Sequence, residues 1–345
     1  MTNEKISTVG SLTGIPSKLH QGIAGLPLGS CSAEDELLHP AAPSGHYSAT
    51  ETSYFGFSVP ERRLNGEIYV WFHPVLKVMS ASVYIWTGMK ASTLACEYIS
   101  HQHFLPFPSH DIADYTIEPV GLHIRVIEPL RSVQIDLDDR ARDVSFCCRQ
   151  DAIMPPGGRP GGYHFTQAMR TTGWLNLYGE RIEINGYFSR DRSWGKERRE
   201  DPLPLPPLSW MVGVFDESFA FHALAHDDPG LSPEWASAFP SVSAAQAFAW
   251  GYLWKDGELT SVARASKLTR RDLNGLAPTA VELELEDVKG RRLSIQGTVQ
   301  ARMPWQTWQN MNTFFCQTRW DCDSRTGYGD LQDVQFNDFT RRFAR

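Results

Sequence analysis

Apolar and polar residues alternate in short runs along most of this chain, and turn residues break the runs about every ten positions. That rhythm predicts strands joined by hairpins. From Tyr54 it gives Ser53–Val59, then Glu67–Pro74 and Ser80–Thr87, with an Asn65-Gly66 hairpin signal before the second. These strands carry large aromatics on both phases, so one face is expected in a core and the other against a core or an apolar ligand. Further strands are read at 94–101, 122–128, 132–137 and 144–149, then at Tyr163–Gly173 and Gly173–Glu180. Arg181–Gly186 alternates polar with apolar and leads into 187–195, a strand expected to end in a turn at Gly195. The stretch Glu200–Pro207 reads as an extended linker. A second β series follows from Trp210, interrupted by a short helical insertion within 232–250, where Pro233 suits a first helical position. Trp305–Trp320 and Gly327–Phe336 close it. Residues 1–45 show no period and read as an irregular arm, with a short helix at Ser32–Leu38 that Ser32 and Asp35 would cap.

The expectation is an all-β protein of two tandem antiparallel barrel or sandwich units: the arm at 1–45, one unit at 46–200, the other at 208–345. The length of 345 residues agrees, being more than one core usually supports. The unusual feature of the composition is 12% aromatic residues, including 11 Trp, enough to wall a large apolar cavity. The net charge of −7 argues against a nucleic-acid partner. No run is long enough for a membrane span, and the polar start has no apolar stretch after it; both point to a cytoplasmic protein. None of the six cysteines forms a C-x-x-C pair, so reduced thiols are expected, with an even count leaving a disulfide open.

The chemistry centres on Ser189-Arg190-Asp191-Arg192-Ser193-Trp194-Gly195. Strand parity turns Arg190, Arg192 and Trp194 one way, and Ser189, Asp191 and Ser193 the other. If Asp191 lines a cavity it can donate or accept a proton; otherwise the three charges form a structural ion-pair knot at a strand end. His164 shares parity with Thr166, and Gln167 has the opposite one.

The string from Arg190 to Gly195 resembles the R-D-H-S-W-G signature of tandem lipocalin-like proteins related to hydroxyneurosporene synthase and kievitone hydratase. Tyr163–Gln167 resembles the family's H-x-E-Q segment, and Gly327–Asp330 its closing G-Y-G strand. Arg192 stands where the signature usually has histidine, and Thr166 where it usually has glutamate. The resemblance implies addition of water across a carbon–carbon double bond of an isoprenoid-like chain.

Other chemistries find no support in the sequence. It has no G-x-S-x-G elbow, no Rossmann glycines, and no metal-ligand spacing in His101-x-His103 with His110. The expected function is therefore cofactor-free and metal-free acid–base chemistry on a hydrophobic small molecule, a hydratase, dehydratase or isomerase. Asp191 and His164 are the catalytic candidates; Arg192, Trp194, Gln167, Tyr54, Trp71 and Trp86 are the substrate-binding ones. A non-catalytic carrier, or a pericyclase-like cyclase, is the alternative, and homodimerisation stays open.

Overall fold

The computed structural model describes residues 23–40, 45–108, 111–199, 201, 203–231, 233–240, 242 and 244–343. Its strands form two sheets. The first runs β4(Tyr98–Pro106), β3(Val78–Thr87), β2(Leu64–His73), β1(Ala49–Val59), β11(Glu180–Glu197), β10(His164–Leu177), β8(Val144–Ala152), β7(Ser132–Asp139), β6(Leu122–Glu128) and β5(Asp114–Ile117), with the short β9(Gly157–Gly158) on β10. It curls into an open half-barrel. The second is a closed antiparallel barrel: β12(Leu208–Asp216), β13(Phe219–His226), β14(Phe248–Lys255), β15(Glu258–Arg271), β16(Pro278–Asp287), β17(Arg292–Trp308), β18(Met311–Cys322) and β19(Arg325–Phe336). Short helices α1(Pro233–Ala238) and α2(Ala244–Ala247) interrupt the second series where expected, and α3(Asn337–Phe343) follows the barrel. The fold is thus all-β and lipocalin-like in type, with the first unit unclosed.

Each unit is filled from its own strands. Phe57, Ile68, Val70, Val83, Ile135 and Phe146 pack the half-barrel; Met211, Phe221, Leu283, Ile295, Trp320 and Leu331 pack the barrel. Burying such side chains contributes about 1.5–3 kcal/mol each. The aromatics on the opposite phase of β1–β3 face the second unit: Tyr54, Trp71, Tyr84 and Trp86 pack with Met303, Trp305 and Phe315 in one shared cluster. The two-phase aromatic pattern therefore marks a core on one side and an interface between units on the other. Gln317 Nε2 donates to Ser58 Oγ (2.7 Å) and Leu64 O (2.8 Å), and a backbone bridge at Met89 and Arg302 ties the units again.

Several local expectations change. Asn65-Gly66 is not a hairpin turn but lies inside β2; the turn is at Pro60–Arg63, with Arg63 at φ 49°. Gly66 is needed there because the Phe57 ring lies where a Cβ would stand, 2.2 Å away. Gly173 does not divide two strands: it sits within β10, against the Cys147 carbonyl. The helix expected at 32–38 is one 3-10 turn at Ala33–Glu36, with the Asp35 carboxylate accepting from Ser32 N (2.7 Å). Residue 232 and residues 1–22 of the arm lie outside the described residues. All six cysteines are free. No helix among the described residues is long and apolar enough to cross a membrane.

Candidate functional site

Strand register places the side chains of the interface in rows. One row crosses the half-barrel as His101, Ser82, Tyr69, Tyr54, Asp191 and Thr166, on β4, β3, β2, β1, β11 and β10. The row above holds Tyr84, Glu67 and Gly56; the row below holds Ser80, Trp71, Thr52, Ser193 and His164. All are on the face that looks at the second unit. The parity reading of β11 is realised: Asp191 and Ser193 face the interface, while Arg190, Arg192 and Trp194 face away.

Gly195 is a bulge, not a turn. Between Thr50 and Thr52 of β1, β11 runs from Lys196 to Ser193 and so holds one extra residue. Gly195 takes up the slack at φ +62°, where a Cβ would stand 2.5 Å from the Tyr163 ring. The bulge shifts the phase of β11. Lys196 then pairs with Thr50 and falls on the face of Asp191. Gly195→Ala is expected to cost about 1–2 kcal/mol in chemical denaturation, because the left-handed conformation strains any Cβ-bearing residue.

Asp191 is deep in the molecule yet keeps part of its surface accessible, as a side chain on the wall of a seam does. Burial raises its pKa to about 7, against the opposing charges of Arg198, Lys196 and Arg192 and with Asp330 adding to the rise. Burial and repulsion from Arg198 and Arg159 lower Lys196 to about 7. Two groups of opposite type thus titrate near neutrality within electrostatic reach of one another.

Two further carboxyls were not singled out in the sequence. Asp330 of β19 accepts from Tyr54 Oη (2.8 Å) and Gln332 Nε2 (2.8 Å) on Oδ2, while Oδ1 is buried without a partner. Burial raises Asp330 to about 6. Glu67 is fully buried with neither carboxyl oxygen bonded, and burial with the nearby Asp330 and Asp191 pushes its pKa well up. Burial therefore favours the protonated form of Glu67. The sequence signal for it was an acidic residue opening a strand otherwise made of aromatics and β-branched residues.

Of the expected binding residues, Tyr54, Trp71 and Trp86 lie in the interface cluster, with Trp86 wholly buried. Arg192, Trp194 and Gln167 lie on the other face of β10 and β11, a correction to the expectation that they line a pocket with Asp191. They belong to the seat of the arm. Arg192 donates to the carbonyls of Asp35 (3.2 Å) and Leu37 (2.7 Å) and to Glu51 (3.2 Å). Trp194 stacks on His39 at 4.5 Å, and Gln167 accepts from Arg190 (3.0 Å), which pairs with Glu36 (2.7 Å). The arm also crosses to the second unit, where Gly25 N donates to Val262 O (3.0 Å). The ion-pair knot therefore exists, but it takes the two arginines and leaves Asp191 out.

His164 is buried, with Nδ1 2.9 Å from Ser193 Oγ and Nε2 2.9 Å from Thr166 Oγ1. Trp210 and Trp250 lie edge-on to it. Burial first, and then nearby cations, hold it well below the usual histidine range. It is a neutral ring that fixes two hydroxyls, Ser193 in its own row and Thr166 in the row of Asp191. No group of three or more His, Cys, Asp or Glu suited to a metal occurs among the described residues.

A separate cleft of about 280 Å³ opens in the barrel wall where β14 and β15 part, lined by His226, Phe248, Ser266, Lys267 and Glu284 among others. Its buried ammonium, on Lys267, is already bonded to Asp227 (2.7 Å) and Ser209 (2.7 Å).

A family model described as a domain of unknown function, DUF7064, matches residues 32–338. No curated protein sequence matches significantly. Among solved structures, a protein from Nitrosomonas europaea provisionally labelled AttH superposes with TM-score 0.56 at 15% identity, covering 87% of this chain and 100% of the other. Kievitone hydratase from Nectria haematococca superposes with TM-score 0.53 at 12% identity, covering 90% of this chain and 94% of its own. At these identities the likeness is one of fold.

Proposed function

This chain belongs to the DUF7064 family, and we propose that it is a hydratase-type enzyme whose site is the seam between the two units. Asp191 acts as the acid that protonates a carbon–carbon double bond of an apolar molecule lying along Tyr54, Tyr69, Trp71 and Trp305. Lys196 takes a proton from the water that captures the cation. The observation that carries this reading is geometric: Asp191 and Lys196 share one face of β11 next to an aromatic wall, and burial brings each to about 7. General acids and bases work best when their pKa lies near the working pH. Tyr54 and Asp330 hold the floor of the site, and His164 positions Thr166 and Ser193. The fold shared with a hydratase agrees with this chemistry.

The test begins with the apolar compound that co-purifies, identified by mass spectrometry and returned to fresh protein. In ¹⁸O-labelled water a hydratase writes ¹⁸O into the product; an isomerase takes only deuterium from D₂O; a carrier changes nothing. Turnover is expected to peak near pH 7, since the protonated Asp191 fades above that value and the neutral Lys196 below it. Lys196→Met should remove the acid limb of that profile.

A further inference from the structure

His101 stands in the same row as Asp191 but four strands away, about 19 Å at the usual strand spacing. Its ring stacks on Trp71 at 5.9 Å and meets the Trp305 ring edge-on at 5.4 Å. Nδ1 lies 2.8 Å from the Tyr84 hydroxyl. Nε2 is buried and has no partner among the described residues. A buried polar atom left alone in a folded protein needs a reason.

The Tyr84 bond decides what that atom is. The Trp305 indole, its ring 5.0 Å from that of Tyr84, has an N–H that can only donate, so it cannot take the Tyr84 proton. Among the described residues the Tyr84 proton has no acceptor other than His101 Nδ1. A neutral imidazole that accepts on Nδ1 carries its own proton on Nε2. Burial, with His103 adding to it, keeps the ring neutral by lowering its pKa to about 4. His103 itself is turned to Ser80 Oγ (3.1 Å) and does not compete for the site.

We propose that His101 donates from Nε2 to an oxygen acceptor, a carbonyl or hydroxyl oxygen, at the end of the bound molecule remote from Asp191. The substrate is then an elongated apolar skeleton with its reacting double bond at one end and an oxygen at the other. This rests on the seam being the binding site.

Trp71 and Trp305 flank His101, so tryptophan fluorescence reports its occupancy. The full-length protein is titrated with 2-acetylnaphthalene and with 2-ethylnaphthalene, which lacks the acceptor. The ketone is expected to bind about tenfold tighter, the size of one well-made hydrogen bond. In His101→Phe the ketone should fall to the affinity of the hydrocarbon. In Tyr84→Phe, which no longer fixes the tautomer, most of the preference should go. A preference that survives His101→Phe, or no preference in the native protein, overturns the assignment of His101. Binding of neither probe removes the seam itself as the site, and the assignment with it.

Discussion

Asparagine at position 191 is expected to cut turnover by about 10²–10⁴ while leaving ligand affinity within about tenfold. Asn keeps the shape and polarity of the side chain and loses only the proton it can give. The same variant separates a catalytic carboxyl from a structural one. The folded-state pKa of Asp191 lies above the ordinary aspartate value, at about 7. Its ionisation is therefore unfavourable to the fold: stability is untouched below the unfolded value, erodes as pH rises from there through about 7, and levels off above. At pH 8, Asp191→Asn should be at least as stable as the parent in urea denaturation. A member of an ion-pair knot would behave oppositely and lose stability when neutralised.

Replacing Glu36 with glutamine is expected to destabilise the protein by about 3–5 kcal/mol, because it leaves the Arg190 guanidinium buried and uncompensated. Arg190 and Glu36 are 1% and 4% exposed, so water cannot take over. Burial alone would raise the Glu36 pKa, but Arg190 and the Leu130 N–H hold it below the usual value. A depressed carboxylate contributes stability above its unfolded value and loses that contribution as pH falls through the folded one. Urea midpoints should therefore fall steeply below about pH 4.5 in the parent and less so in Glu36→Gln. Cys31 supplies a second readout. Burial, with Asp35 and Glu36, pushes its thiol up to about 12, so it should alkylate slowly in the parent and faster once the arm is unseated.

Much of this arrangement was legible before any coordinates. Strand parity separated Asp191 from Arg190 and Arg192, and composition suggested an aromatic wall. The same parity rule set Arg192 and Trp194 opposite Asp191 and Gln167 opposite His164, and so already spoke against all three as pocket residues. The partner of Arg190 was not legible: Glu36 lies in an arm without periodicity, 154 positions away. Gly195 was ambiguous, because a left-handed glycine serves a turn and a bulge alike, and only pairing with β1 distinguishes them. Asp330 was quoted as part of a closing strand, yet its role depends on Tyr54, 276 positions earlier. Contacts across two units leave no period in a sequence. The hollow was expected without a place; both unit interiors are packed, and the proposed site lies between them.

The proposed chemistry requires Asp191 to hold its proton near neutrality within the seam. Carbon-13 NMR of the labelled aspartate carboxyl, assigned through Asp191→Asn and titrated from pH 3 to 9, measures this directly. A midpoint near 7 is predicted. A midpoint near the ordinary aspartate value of about 3.9 would show a solvated or ion-paired carboxylate and contradict the assigned acid.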